Sequence, residues 1–123
     1  MQSKHRKQMS SAEIQYTESL VHGIDTWCFD NDHLLARMEQ KGVSKKDAAI
    51  TLRWGAIIRV QDDGRVLLRL MNGMRKGVCV VVSLKDFTLV TAWYNKPTDQ
   101  HTTLDMSEYT WKVNVIEYLR SIQ

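Results

Sequence analysis

The chain has 123 residues, with 43% hydrophobic and 25% charged, which suits one globular domain whose core holds without staples. Seventeen Lys and Arg against fourteen Asp and Glu leave +3, too mild a balance to demand a nucleic-acid partner by itself. No apolar run approaches the roughly 18 residues of a membrane span, and the two cysteines and four histidines form neither a disulfide framework nor a zinc spacing.

Residues 1–9 carry Lys4, His5, Arg6 and Lys7 and no acid. No apolar stretch follows, so they are not a signal peptide, and they read as a flexible basic arm ahead of one domain over 10–123. Ser10-Ser11-Ala12-Glu13 is a capping box, in which Ser10 and Glu13 satisfy each other's orphan amides. Ile14, Thr17, Val21 and Ile24 recur at helical spacing, which predicts a helix over about 11–22 closed by Gly23. Asp25 to Phe29 read as a connector or brief strand, with Cys28 packed between Trp27 and Phe29. Asp30 or Asn31 caps a second helix, with Leu34, Leu35 and Met38 inward and Gly42 past its end. Ser44-Lys45-Lys46-Asp47 opens a third, with Ala48, Ala49 and Leu52 inward and Gly55 as its stop.

After Gly55 the period turns from helical to alternating. Ala56 to Val60, Arg65 to Met71, Val78 to Leu84 and Phe87 to Tyr94 read as four antiparallel strands. Gln61-Asp62-Asp63-Gly64 and Lys85-Asp86 are the tight turns between them. Val78 to Val82 is apolar on both faces and reads as a central strand with Cys79 packed inside it. Pro97 breaks the chain. Asp105 then caps a final helix with Glu108 at its third position and Trp111, Val115, Leu119 and Ile122 as its apolar stripe. The order is helices, then a four-stranded sheet, then a helix: α+β.

The net charge conceals a pattern. Residues 10–30 carry Glu13, Glu18, Asp25 and Asp30 and no cation, whereas residues 31–76 hold twice as many cations as acids. The basic middle reads either as a solvated face or as a surface that meets phosphate.

The segment His33-x3-Arg37-Met38-x2-Lys41-Gly42-Val43-Ser44 resembles the opening of a group of small bacterial and phage domains related to BrnT-type toxins. Leu52-Arg53-Trp54-Gly55 and Val90-Thr91-Ala92-Trp93-Tyr94-Asn95 resemble the group's helix end and last strand, so the likeness spans about residues 31–96. That group is similar to the RelE/barnase/colicin-like ribonuclease superfamily. The resemblance implies a RelE/barnase-like fold and cleavage of RNA without a metal.

Metal-free cleavage needs a base for the 2′-hydroxyl, an acid for the leaving oxygen and a cation for the transition state. His101 as acid/base and Lys96 as phosphate cation lie in one polar loop after the last strand, with Trp93 or Tyr94 as a stacking platform. His33 and Arg37 share a helix face at i, i+4 and read either as a base and phosphate clamp facing the sheet or as packing and tethering residues. Arg59, Arg65 and Arg69 line one sheet face, as solubility residues or as an RNA groove, and Tyr109 is a further phosphate donor. His5 and His22 read as exposed bystanders.

Two functions follow as expectations. One is a toxin-like cytoplasmic ribonuclease acting on RNA, with a cognate antitoxin or host protein as partner and no cofactor, metal or membrane. The other is a non-catalytic bacterial or phage module that inhibits a host protein or binds nucleic acid.

Overall fold

Capping chemistry sets the helices where the sequence places them. In the computed structural model, which describes residues 2–29, 32–72, 76–95 and 109–123, α1 spans Ser11–His22. The Ser10 hydroxyl accepts from the Glu13 amide and the Glu13 carboxylate accepts from the Ser10 amide, so both halves of the box are present. Helix α2 spans Asp32–Gln40 and α3 spans Lys45–Trp54. Asp30 and Asn31, the expected caps of α2, lie outside the described residues.

The link between α2 and α3 accounts for half of the toxin-like motif. Gly42 takes φ of +72°, where a side chain is strained, and its amide bonds the Glu39 carbonyl while that of Val43 bonds the Met38 carbonyl. Met38 and Val43 are buried, and Ser44 caps α3 by accepting from the Asp47 amide. These positions are therefore explained by folding. His33, Arg37 and Lys41 point outward.

The sheet has five strands, not the expected four, in the antiparallel order β1 to β5: Ser3–His5, Ala56–Gln61, Arg65–Asn72, Lys76–Ser83 and Thr88–Asn95. The additional strand comes from the stretch expected to be a flexible arm. It pairs with β2, and a short 3-10 turn over Arg6–Gln8 follows it. Its Lys4 ammonium meets the Glu13 carboxylate at 2.9 Å, and the Arg6 guanidinium donates to the Ile57 carbonyl. Charge that looked solvated in the sequence is spent on fixing this strand.

At the β2–β3 turn Gly64 has φ of +87°, and a Cβ there would come within 2.9 Å of the Lys85 side chain. The final helix also differs from expectation. Helix α4 is short, Val115–Ser121, and begins at Asn114, whose side chain accepts from the Ile116 and Glu117 amides. Trp111 precedes it, packed edge-on against Tyr118, so Trp111 joins the core from a non-helical stretch. Asp105 and Glu108 lie outside the described residues.

Helices α1, α3 and α2 cover one face of the sheet, over β2, over β3 and β4, and over β5 respectively, and α4 packs on α1. The main core lies between these layers, built on Ile57, Val66, Leu68, Val80 and Val82 from the strands and Val21, Leu34, Met38 and Leu52 from the helices. Cys28 is exposed rather than packed, while Cys79 is buried, and the two are not disulfide-linked. Among the described residues, no helix is long and apolar enough to cross a membrane.

Candidate functional site

Strand pairing decides which side chains share the sheet's second face. Directly opposed residues point the same way. One row across all five strands therefore reads His5, Arg59, Leu67, Val81 and Thr91, and a second reads Arg69, Cys79 and Trp93. A β-bulge at Ile58 turns Ile58 and Arg59 together toward this face, and a matching irregularity at Val90 does the same on β5. Leu67, Cys79 and Val81 form a small buried cluster packed by Ile58, Val90 and Trp93, all strand residues.

Arg59 borders Leu67 from β2 and Arg69 follows Leu67 on β3, both half-buried, while Arg65 precedes Leu67 on β3, exposed. Their stems extend apolar cover over the strip while the guanidinium ends carry charge. The Nε of Arg59 is buried with no hydrogen-bond partner. A buried donor left in that state costs stability. Arg65 is held by Asp63, whose carboxylate lies 3.3 Å from its Nε.

At the β1 edge the row ends in an aromatic pair. The His5 ring is 4% exposed and meets Tyr109 edge-on, with centroids 5.1 Å apart. His5 Nδ1 accepts from the Lys7 amide, which fixes the ring. A cavity of about 320 Å³ opens beside Tyr109, lined also by Lys4, Gln8, Trp111 and Lys112. The Lys4 ammonium is engaged by Glu13 and the Val113 carbonyl, so Lys112 is the exposed cation there.

The expected site residues thus divide. Arg59, Arg65, Arg69 and Trp93 come together on one face, and Tyr109 joins them at the edge through His5. His33 and Arg37 are exposed on α2, whose inward residues are Leu34 and Met38, so they lie on the helix side of the sheet. Tyr94 also lies on that side. Its hydroxyl donates to the Asp47 carboxylate, and this bond, then burial, then the charge of Asp47 push it up to about 12. Tyr94 braces α3 against β5. His101 and Lys96 lie outside the described residues. Among the described residues, no group of three His, Cys, Asp or Glu side chains is placed to hold a metal ion.

No family model, no curated protein and no solved structure matches this chain.

Two of the histidines read as bystanders have structural partners. His22 Nε2 lies 2.8 Å from the Gly55 carbonyl and ties the end of α1 to the end of α3. His5 is part of the sheet face itself. A three-residue strand is too short to show a period, so no sequence signal marks His5. Trp54, which the resemblance places at the end of its helix, stands at i+4 from Ile50 on the outer side of α3, a spacing that an amphipathicity reading can detect.

Proposed function

We propose that this protein binds RNA across the sheet face that carries Arg59, Arg65, Arg69 and Trp93. The single observation supporting this is the register that aligns three arginines and a tryptophan around an apolar strip. Guanidinium groups grip phosphate oxygens two at a time, and an indole stacks on any base, so this set suits a single strand read with little sequence preference.

Cleavage is the finer part of the proposal and rests on the resemblance to RelE/barnase-like ribonuclease toxins. In that reading the protein is a cytoplasmic toxin-like ribonuclease with an antitoxin or host protein as partner. His101 is the acid/base and Lys96 the phosphate cation. Binding without turnover is the second reading. It is favoured by one observation: His33 and Arg37 lie on the side of the sheet away from the arginines and cannot serve the same phosphate.

The test is fluorescence anisotropy with a labelled single-stranded RNA, at several salt concentrations, on the wild-type chain and on Arg59→Ala with Arg69→Ala. The double variant is expected to bind about tenfold or more weakly and with a shallower salt dependence. Unchanged affinity sinks the sheet-face reading. RNA digestion in the presence of a chelator, with His101→Ala as control, then separates the two readings. Cleavage that His101→Ala abolishes supports the ribonuclease, and intact RNA supports the binding module.

A further inference from the structure

A groove on the opposite side of the molecule belongs to none of the chemistry above. Its volume is about 290 Å³, and it runs between the outer side of α3 and the connector after α1. Ile50 and Trp54 form one wall, and Ile24, Trp27 and Phe29 form the other. Trp54 is 68% exposed and Ile50 37%, so a large part of the apolar wall faces outward. Exposed aromatic surface of this kind, set in a cleft, marks an interaction site more often than a solvated face does.

Both walls are held in place. The connector is pinned to the sheet where the Cys28 amide donates to the Phe87 carbonyl at 2.8 Å and the Cys28 carbonyl accepts from Leu89 at 3.1 Å. The Trp27 ring meets Phe87 edge-on. The His22 bond to Gly55 closes the end of the groove nearest α1. A cleft fixed in this way binds without first being ordered, which favours affinity.

We infer that this groove docks an acidic protein segment that presents a bulky apolar side chain beside one or more carboxylates. Two observations select that occupant. The rim is cationic, with Lys46 and Arg53 both exposed, and it complements carboxylates next to the anchor. The exposed Trp54 and Ile50 beside that rim supply the apolar seat for the anchor. Nucleic acid fits less well. The lining is dominated by Ile24, Ile50, Phe29 and Ala49, which offer nothing to a base edge. The Asp25 carboxylate stands 3.9 Å from the Arg53 guanidinium on the rim, and an incoming carboxylate competes with it for Arg53. The apolar anchor therefore seats between Trp54 and Trp27, and the carboxylate draws Arg53 away from Asp25.

The inference stands apart from the RNA reading, since the groove and the arginine face lie on opposite sides of the sheet. The experiment pans a random-peptide phage library on the full-length chain and measures the selected peptides by anisotropy. Peptides that pair an aromatic or leucine with Asp or Glu are expected to be enriched. Their affinity is expected to fall roughly tenfold or more in Trp54→Ala and in Arg53→Glu, and to weaken with salt. Circular dichroism shows whether each variant folds. Trp54 is exposed enough that its removal leaves the core intact, and Arg53→Glu tests the rim independently. A library that yields only peptides lacking carboxylates, or none sensitive to Trp54→Ala, overturns the inference. So does a single-stranded RNA that displaces the peptide and itself loses binding in Trp54→Ala.

Discussion

On the face beneath the helices, successive rows across the strands read Val60, Val66, Val82, Leu89 and Ile57, Leu68, Val80, Ala92. On the other face the same strands give Arg59, Leu67, Val81, Thr91 and Arg69, Cys79, Trp93. The first set is aliphatic throughout and packs against helices. The second keeps a narrow apolar strip with guanidinium groups along its β2 and β3 side. A sheet needs only one fully apolar face to fold, provided the other satisfies its own polar atoms. Here the second face gathers Arg59, Arg65 and Arg69 beside its strip and departs from the all-aliphatic pattern of the first. That departure locates the candidate site.

The contrast can be broken by mutation, and the largest effect belongs to the helix-covered face. Leu68→Ala is expected to cost about 4 kcal/mol, because Leu68 is fully buried and its neighbours cannot collapse into the space. Urea unfolding measures this. A loss under about 1 kcal/mol means that the core is not where the register puts it.

Glu13→Gln comes next, at about 3 kcal/mol, since it leaves the Lys4 ammonium buried without its counter-charge. Burial raises the Glu13 pKa, but hydrogen bonds from Lys4 and from the Ser10 and Val115 amides, with the charge of Lys4, hold it below the usual 4.5. The contribution of Glu13 is therefore present above pH 4.5 and lost as the pH falls through its lowered folded value. Stability measured across the acid range should decline less steeply in the Gln variant.

Tyr94→Phe is expected to cost about 1 kcal/mol by removing the bond to Asp47. With its folded pKa pushed up to about 12, Tyr94 contributes stability that is fully present below pH 10 and disappears as the pH rises through about 12. Alkaline unfolding of the Phe variant should lack that part of the decline. Wild-type and Tyr94→Phe chains that lose stability alike above pH 10 would show that the brace does not form.

Arg59→Ala sharpens the comparison from the other side. It removes a buried donor that has no partner, and it is expected to change stability by less than about 0.5 kcal/mol while lowering RNA affinity. A loss of stability comparable to that of Leu68→Ala would make Arg59 a structural residue and dissolve the distinction between the faces.

Helices α1 to α3 were legible in the sequence because their signals are local, whereas α4 starts at Asn114 and leaves Trp111 outside it. Ser10 and Glu13 close a box within four residues, and Ser44 and Gly42 punctuate the α2–α3 link. The four long strands were legible from alternation. Strand β1 was not, because three residues show no period and its stability comes from Lys4 meeting a carboxylate on another element. The site was partly legible. Arg59, Arg65 and Arg69 were expected on one face, but the bulge at Ile58 that brings Arg59 into line is a pairing defect that alternation does not announce. His5 reaches the site only through the register of β1, and Tyr94 leaves it because it opposes Val78 on the helix-covered face, where its hydroxyl meets Asp47.

The Glu13 carboxylate also has a consequence for how the molecule is assembled. It binds the Lys4 ammonium nine positions before it and the Val115 amide 102 positions after it. During synthesis, Lys4 and Glu13 leave the ribosome almost together, while Val115 emerges only after the whole sheet. Until then the clasp is half made, and the β1 edge is secured on one side only. The first strand to be synthesised is thus among the last to be locked. A chain stalled before residue 115 exposes the β2 edge as a template for pairing with other chains.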